Sequence, residues 1–296
     1  MKMHLSPKVI LFLGVLGASL SSILVRFSQA PSLVTATYRL LWSVVLLTVW
    51  VVWKCRDQLR YIQKSDFMYC GLSGFFLALH FWSWFESLRH TSITSSTVLV
   101  STEVIFTALG FVLLFRGILP AKAPWCIALA FVGSVVIALG DRGGMSGNAL
   151  WGDLLSLAAA VFVSVYTLIG RKQRGHLSTT VYTYLVYCAC SLTLLGMDVA
   201  TGTPIVGYPV QELLIGLGLA VFCTLMGHSV FSYCLKYLSP AYVASVKLCE
   251  PIGATLLGML FFLEFPGLLQ IAGGLIVLCG VMGYSALERK GDEMGK

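Results

Sequence analysis

Four ionisable side chains stand inside otherwise apolar sequence: Arg39, Glu103, Lys247 and Glu250. At the centre of a bilayer such a group costs about 2.5–3.5 kcal/mol on insertion scales, so it must be paired, face a wet cavity, or both. Their formal charges cancel. Lys247 and Glu250 are three residues apart, within reach on one helix face, so Lys247 is expected to hold Glu250 as a structural pair. Glu103 has no cation within a turn of its own helix. It is therefore the expected proton carrier. Pro251 has no N–H to give the Lys247 carbonyl, so a bend is expected there, with Pro251 as hinge. Ser96, Val100, Glu103 and Thr107 share one face, and Val243, Lys247, Glu250 and Ala254 another. His80 and Trp84 lie on a broad polar face with Ser73, Ser83 and Ser87. Thr224, His228 and Ser232 form a stripe, and Ser19, Ser22 and Arg26 another. These are groups for binding small ions and polar molecules. The expected substrate-binding set is Glu103, Lys247, Glu250, His80, Trp84, His228, Ser19 and Arg39.

Catalytic motifs are missing. The chain has no HExxH, no pair of aspartates inside an apolar run, no Ser-His-Asp set at membrane depth and no GxxxxGK[ST] phosphate loop. An intramembrane enzyme and a receptor built on a transporter-like fold are the alternative readings. Nine cysteines form no CxxC pair and no His/Cys ligand spacing. Eight of them lie in apolar runs as small buried residues. No metal and no cofactor is expected.

The elements that must position these residues are membrane spans. Of 296 residues, 57% are hydrophobic and 11% charged, with a mean hydropathy of +0.86. Soluble domains carry about a quarter charged residues. Ten apolar runs are long enough to cross a bilayer: Val9–Val25, Leu33–Trp53, Phe67–Phe85, Ile93–Phe115, Ala123–Leu139, Leu154–Gly170, Val181–Met197, Leu213–Leu235, Ala241–Leu263 and Leu268–Leu287. With the N-terminus inside, 15 of the 20 Lys and Arg fall on the inner side, three (Arg26, Arg89, Arg142) outside and two within spans. That asymmetry predicts cytoplasmic termini and an outer side holding 141–147 and 201–209. It also makes the net charge of +7 a topology signal and not a nucleic-acid surface.

A shift of 147 residues aligns Glu103 with Glu250, Ser92 with Ser239, Ile105 with Ile252 and Gly133 with Gly280. Each copy holds five spans. Five is odd, so the second copy enters the membrane from the opposite face, which makes an inverted repeat. The expected fold is all-α: a polytopic membrane protein of ten transmembrane helices, as two inverted five-helix repeats over 1–140 and 150–296.

The stretch Ala78-Leu79-His80-Phe81-Trp82 with Ser87-Leu88, Thr91-Ser92, Ser96, Leu99-Val100 and Glu103 resembles the EamA-type transporters of the drug/metabolite transporter superfamily. So do Gly227-His228-Ser229, Leu248-Cys249-Glu250-Pro251-Ile252-Gly253-Ala254 and Phe262-Leu263-Glu264, followed by Gly273-Gly274 and Gly280. Arg39 is similar to an arginine the family often carries in its second span. The chain departs from the pattern at Val104, where a proline is usual, at Arg116-Gly117, the counterpart of Glu264, and at Lys247.

The resemblance implies a secondary transporter in the cytoplasmic membrane, moving a small polar or amphipathic metabolite by alternating access. Export and proton coupling are expected, with the substrate, the proton and the lipid bilayer as partners of a monomer or homodimer. The superfamily carries amino acids, sugars, nucleotides, amines and drugs, so the resemblance names no single substrate. Spans one, three, four, six, eight and nine are expected around the cavity, two and seven bracing it, five and ten peripheral. Glu264 is expected to cap or gate the outer end.

Overall fold

The computed structural model describes residues 6–115, 120–140, 148–173, 177–234, 247 and 249–294. Among them it is helical throughout, with no strand. The helices are α1 (Pro7–Phe27), α2 (Ser32–Lys54), the short α3 (Arg56–Leu59), α4 (Lys64–His90), α5 (Ile93–Val100), α6 (Glu103–Phe115), α7 (Ala123–Gly140), α8 (Ala149–Gln173), α9 (Thr179–Thr201), α10 (Val210–Gly218), a π-helical segment (Leu219–His228), α11 (Ser229–Cys234), α12 (Cys249–Phe262) and α13 (Leu268–Met294).

Local sequence sets these boundaries. Ser6 accepts from the Val9 amide at the start of α1, and Pro7 occupies the first turn, where its missing N–H is not needed. Asp66 reaches back 2.8 Å to the Gln63 amide and closes a capping box on α4. α9 ends at Gly202, whose φ of +68° a side chain would resist. Ser92 caps α5 by accepting from the Ser95 amide at 3.1 Å.

Among the described residues, seven helical stretches are long and apolar enough to cross a membrane: Lys8–Phe27, Ser32–Lys54, Ile93–Gly110, Ala123–Gly140, Ala149–Gly170, Thr179–Thr201 and Val210–Phe231. Cys249–Phe262 and Leu268–Tyr284 are apolar but shorter. α4 spans 27 residues, but its serines, His80 and terminal charges dilute its apolar character. The outward surface is apolar: Trp53, Leu113, Val199 and Leu268 are about four-fifths or more exposed. Water would not stabilise such a surface, and lipid would.

α4 is central and packs on α8 and α9, while α2 packs on α9 and α10. α1 lies between the π segment and α12. α7 and α13 pack closely on each other. A Cβ at Gly133 would stand 2.7 Å from the Val277 amide nitrogen, and one at Gly280 would stand 2.8 Å from the Ala130 nitrogen. Glycine there brings the two backbones together.

Candidate functional site

Where α4, α5, α6, α8, α11 and α12 converge they border a half-open cavity of about 140 Å³. α4 contributes His80 and Trp84. The α5–α6 junction contributes Thr97, Val100, Ser101, Glu103 and Val104, and Val163 and Phe231 come from α8 and α11. Lys247 and Glu250 line it as well.

Lys247 does not pair with the carboxylate on its own helix. Its Nζ donates across the cavity to Glu103 Oε1 at 2.7 Å and forms no ion pair with Glu250. The expected Lys247–Glu250 pair is thereby corrected. A long flexible lysine reaches a neighbouring helix as readily as its own next turn. The pair is a third to a fifth exposed, so it borders the cavity and is not sealed in the core. Lys247 Nζ also lies 5.5 Å from the Phe231 ring centroid, which adds a cation–π contact. Glu250 lines the same cavity with no cation on its carboxylate among the described residues.

His80 is held in place by its Nδ1–H, which donates to Ala159 O at 2.9 Å on α8. A carbonyl can only accept, so the neutral ring leaves Nε2 as an acceptor. The Trp84 ring stacks on His80, centroids 6.1 Å apart and planes 17° apart. Trp84 is 6% exposed, and its Nε1–H meets no acceptor among the described residues. The Thr97 hydroxyl donates to Ile93 O at 2.7 Å and the Ser101 hydroxyl to Thr97 O at 2.9 Å.

Other expected site residues stand elsewhere. Arg39 is 1% exposed and does not line the cavity. Its Nε donates to Thr224 Oγ1 at 2.8 Å and its Nη1 to Ser21 Oγ at 3.1 Å, and its guanidinium lies 4.2 Å from the Phe81 centroid. Ser19 sits behind the cavity, donating to Val15 O and to the Glu250 backbone carbonyl at 3.1 Å. A Cβ at Gly253 would meet Ser19 Oγ at 2.5 Å, so this is where α1 and α12 touch. The side chains of His228 and Ser232 lie outside the described residues. Pro251 is buried near the start of α12, and most of the segment before it, where the bend was expected, lies outside the described residues.

Thr97, Ser101, Val163 and Phe231 escaped the sequence reading. Ser96, placed on the cavity face by helical spacing, instead bonds Ser87 Oγ at 2.7 Å and Ser156 Oγ at 3.2 Å. The cause is the turn at Ser101–Thr102 between α5 and α6, which breaks the periodicity that spacing assumes. A Thr97–Ser101 pair four apart was the available signal.

At one end of the bundle, where α1 ends and α5 begins, helix ends are bound together. Arg26 Nη2 meets Glu264 Oε1 at 2.5 Å and donates to Thr91 O at 3.2 Å. Glu264 Oε2 accepts the Ile93 amide at 3.0 Å, so Glu264 both pairs and caps. Phe27 packs on Phe261 and Phe262. Gln270 donates to Ser92 and Ser95, Arg89 to Ala30 O, and Thr91 to Asp153 Oδ1. No group of three His, Cys, Asp or Glu able to hold a metal occurs among the described residues.

The family model described as the EamA-like transporter family matches the chain twice, over 6–139 and 150–286. A protein of Archaeoglobus fulgidus called an uncharacterized transporter is 25% identical over 83% of this chain and 85% of its own length. One of Clostridium kluyveri with the same description is 24% identical over 70% of this chain and 68% of its own. The uncharacterized inner membrane transporter YedA of Escherichia coli K12 is 29% identical over 57% of this chain and 55% of its own. One crystal structure superposes with a TM-score of 0.63, covering 96% of this chain and 98% of that chain at 17% identity, a likeness of fold.

Proposed function

The chain belongs to the EamA-like transporter family, and from that premise we propose that it is a secondary transporter exporting a small polar or amphipathic metabolite, amino-acid-like or amine-like, in exchange for protons. A multi-pass membrane protein of this family is a transporter and not an enzyme. The observation that carries the finer reading is the cavity itself. It holds an ion pair drawn from two helices, a second carboxylate and two stacked aromatic rings.

Two matches of one family model support a chain built as two five-helix repeats, 1–140 and 150–296, of opposite orientation. Ten spans follow if α4, α12 and α13 join the seven that meet the length and hydropathy test. Alternating access then consists of opening the Phe27–Ile93 end while the opposite end closes. The arginine and lysine asymmetry supports that end as the outer one, with both termini cytoplasmic.

Glu103, Lys247, Glu250, His80 and Trp84 are the proposed substrate site, with Arg39 and Ser19 supporting it from behind. Proton coupling was expected at Glu103 because no cation stood near it. Lys247 supplies one, so the role passes to Glu250: a proton or a substrate ammonium neutralises it, and each displaces the other.

The test is flux into proteoliposomes under an imposed pH gradient, with labelled amines and amino acids. Accumulation against a gradient should collapse when the pH difference is dissipated. Glu250→Gln should lose uphill accumulation. Wild-type transport indifferent to the proton gradient would remove the coupling. A chemically altered product would indicate an enzyme, and binding without flux a receptor.

A further inference from the structure

A second recess shares no lining residue with the central cavity. It is a half-open groove of about 400 Å³ between α2 and α9, bordered by the π segment. Its apolar wall is Leu46 and Trp50 on α2 and Leu225 on the π segment. Its polar wall is Thr179, Thr180 and Thr183 on α9. Val49 and Trp53, beside it on α2, are 69% and 80% exposed, so the groove opens onto the lipid-facing surface. Elsewhere on these two helices a threonine hydroxyl bonds the carbonyl four residues back, as Thr48 does to Val44 O at 2.7 Å and Thr193 to Ala189 O at 2.9 Å. The hydroxyls of Thr179, Thr180 and Thr183 have no partner among the described residues. Three O–H donors beside hydrocarbon call for an acceptor that the neighbouring lipid can supply.

Positive charge stands at the same end of the helix pair. Leu46, Trp50 and Lys54 recur every four residues and share one face of α2. Ser178 Oγ donates to Gln58 Oε1, which ties the chain just after Lys54 and Arg56 to the start of α9. From Lys54 to Lys64 the sequence holds four cations, Lys54, Arg56, Arg60 and Lys64, against one carboxylate, Asp57. None of the four forms an ion pair among the described residues. Trp50 and Trp53 are the ring type that sits at headgroup depth, so these cations stand level with lipid phosphates.

An apolar wall, free hydroxyl donors and unpaired cations at the mouth suit an amphiphile whose head accepts hydrogen bonds and carries negative charge. A phosphodiester does both. The ammonium of a zwitterionic head would meet Lys54 and Arg56 with like charge. We propose that the α2–α9 groove binds an anionic phospholipid, with an acyl chain along Leu46, Trp50 and Leu225, and the phosphate on the α9 threonines under the charge of Lys54 and Arg56. The site stands whether or not the central cavity is the transport site.

The experiment places the purified full-length protein in nanodiscs of phosphatidylcholine and phosphatidylethanolamine, with a trace of phosphatidylglycerol that carries a diazirine on its acyl chain. Photo-adducts are mapped by peptide mass spectrometry. They should concentrate on 46–50 and 222–226, the α2 and π-segment walls of the groove. Unlabelled phosphatidylglycerol should displace the label about tenfold more effectively than phosphatidylethanolamine, the order expected of one added negative charge facing two cations. sn-Glycerol 3-phosphate, the head without its chains, should not compete. Lys54→Gln with Arg56→Gln should erase the preference between the two lipids. Thr183→Leu, which removes a hydroxyl and fills the groove, should lower the adduct yield several-fold. The wild-type map and competition decide the matter even if a variant fails to fold. Adducts spread evenly over the exposed apolar helices, equal displacement by the two lipids, or displacement by glycerol phosphate overturns the proposal.

Discussion

Lys247 removed from the Glu103 pair leaves a carboxylate at membrane depth without its counter-ion, and the cost of that exceeds what the pair itself contributes. The pair is partly exposed to the cavity, so Lys247→Ala should destabilise by about 1–3 kcal/mol, the range for leaving a buried polar partner unsatisfied. Joint replacement, Lys247→Met with Glu103→Gln, should recover most of that loss. Thermal melts in nanodiscs read both, and equal melting temperatures for the single and double variants would remove the pair as a stabilising contact. These charges were legible in the sequence because lysine and glutamate are out of place in apolar runs. Their pairing was not. Spacing along one helix reports neighbours on that helix, whereas Lys247 crosses to α6, and only packing decides that. Arg39 shows the same limit. Its rarity marked it, but the neutral oxygens of Thr224 and Ser21 that receive it come from other helices.

Helix ends and helix contacts carry two further expectations. Glu264 joins α12 to Arg26 on α1 and to the first amide of α5. Glu264→Gln keeps an acceptor for the Ile93 amide and loses the charge, so it should loosen this end without unfolding it. A cysteine at Phe262 should then react several-fold faster with a membrane-impermeant maleimide than in the parent background. An unchanged rate would show that the charge on Glu264 does not hold this end together. At the periphery, Gly133→Ala places a methyl 2.7 Å from the Val277 amide nitrogen. Backbone cannot swing aside as a side-chain tip can, so α7 and α13 must part. A loss of about 1–3 kcal/mol is expected, as for other overpacked contacts, read by thermal melting. Gly133, Gly273 and Gly280 were legible as close-packing residues because a glycine inside an apolar helix has little other use. The π segment over Leu219–His228 left no trace in periodicity, since it adds one residue to a turn within an otherwise regular apolar run. The break at Ser101–Thr102 was equally silent, because neither residue is a helix breaker.

On the scale of the whole chain, helix content and membrane-spanning character were the most legible properties, because exposure to lipid inverts the usual composition. Cavity shape was least legible, since it depends on where helices cross. The proposed sidedness rests on the basic residues: if it holds, Tyr61→Cys should label only from the cytoplasm and Val206→Cys only from outside. Both side chains are more than three-quarters exposed. Labelling of both by one impermeant reagent in intact cells would end the proposed orientation. The cancellation among Arg39, Glu103, Lys247 and Glu250 has a further effect when the protein stands in an energised membrane. In the proposed cycle these four charges sum to zero in the empty carrier, so voltage would not act on them as it reorients. A monovalent ammonium or a proton on Glu250 each adds one positive charge, worth about 2.3 kcal/mol per 100 mV if carried across the full potential. Exchange of one for the other is electrically silent. A potassium diffusion potential set with valinomycin should therefore leave amine–proton exchange unchanged, while a zwitterion exchanged for a proton should speed up or slow down with the sign of the voltage.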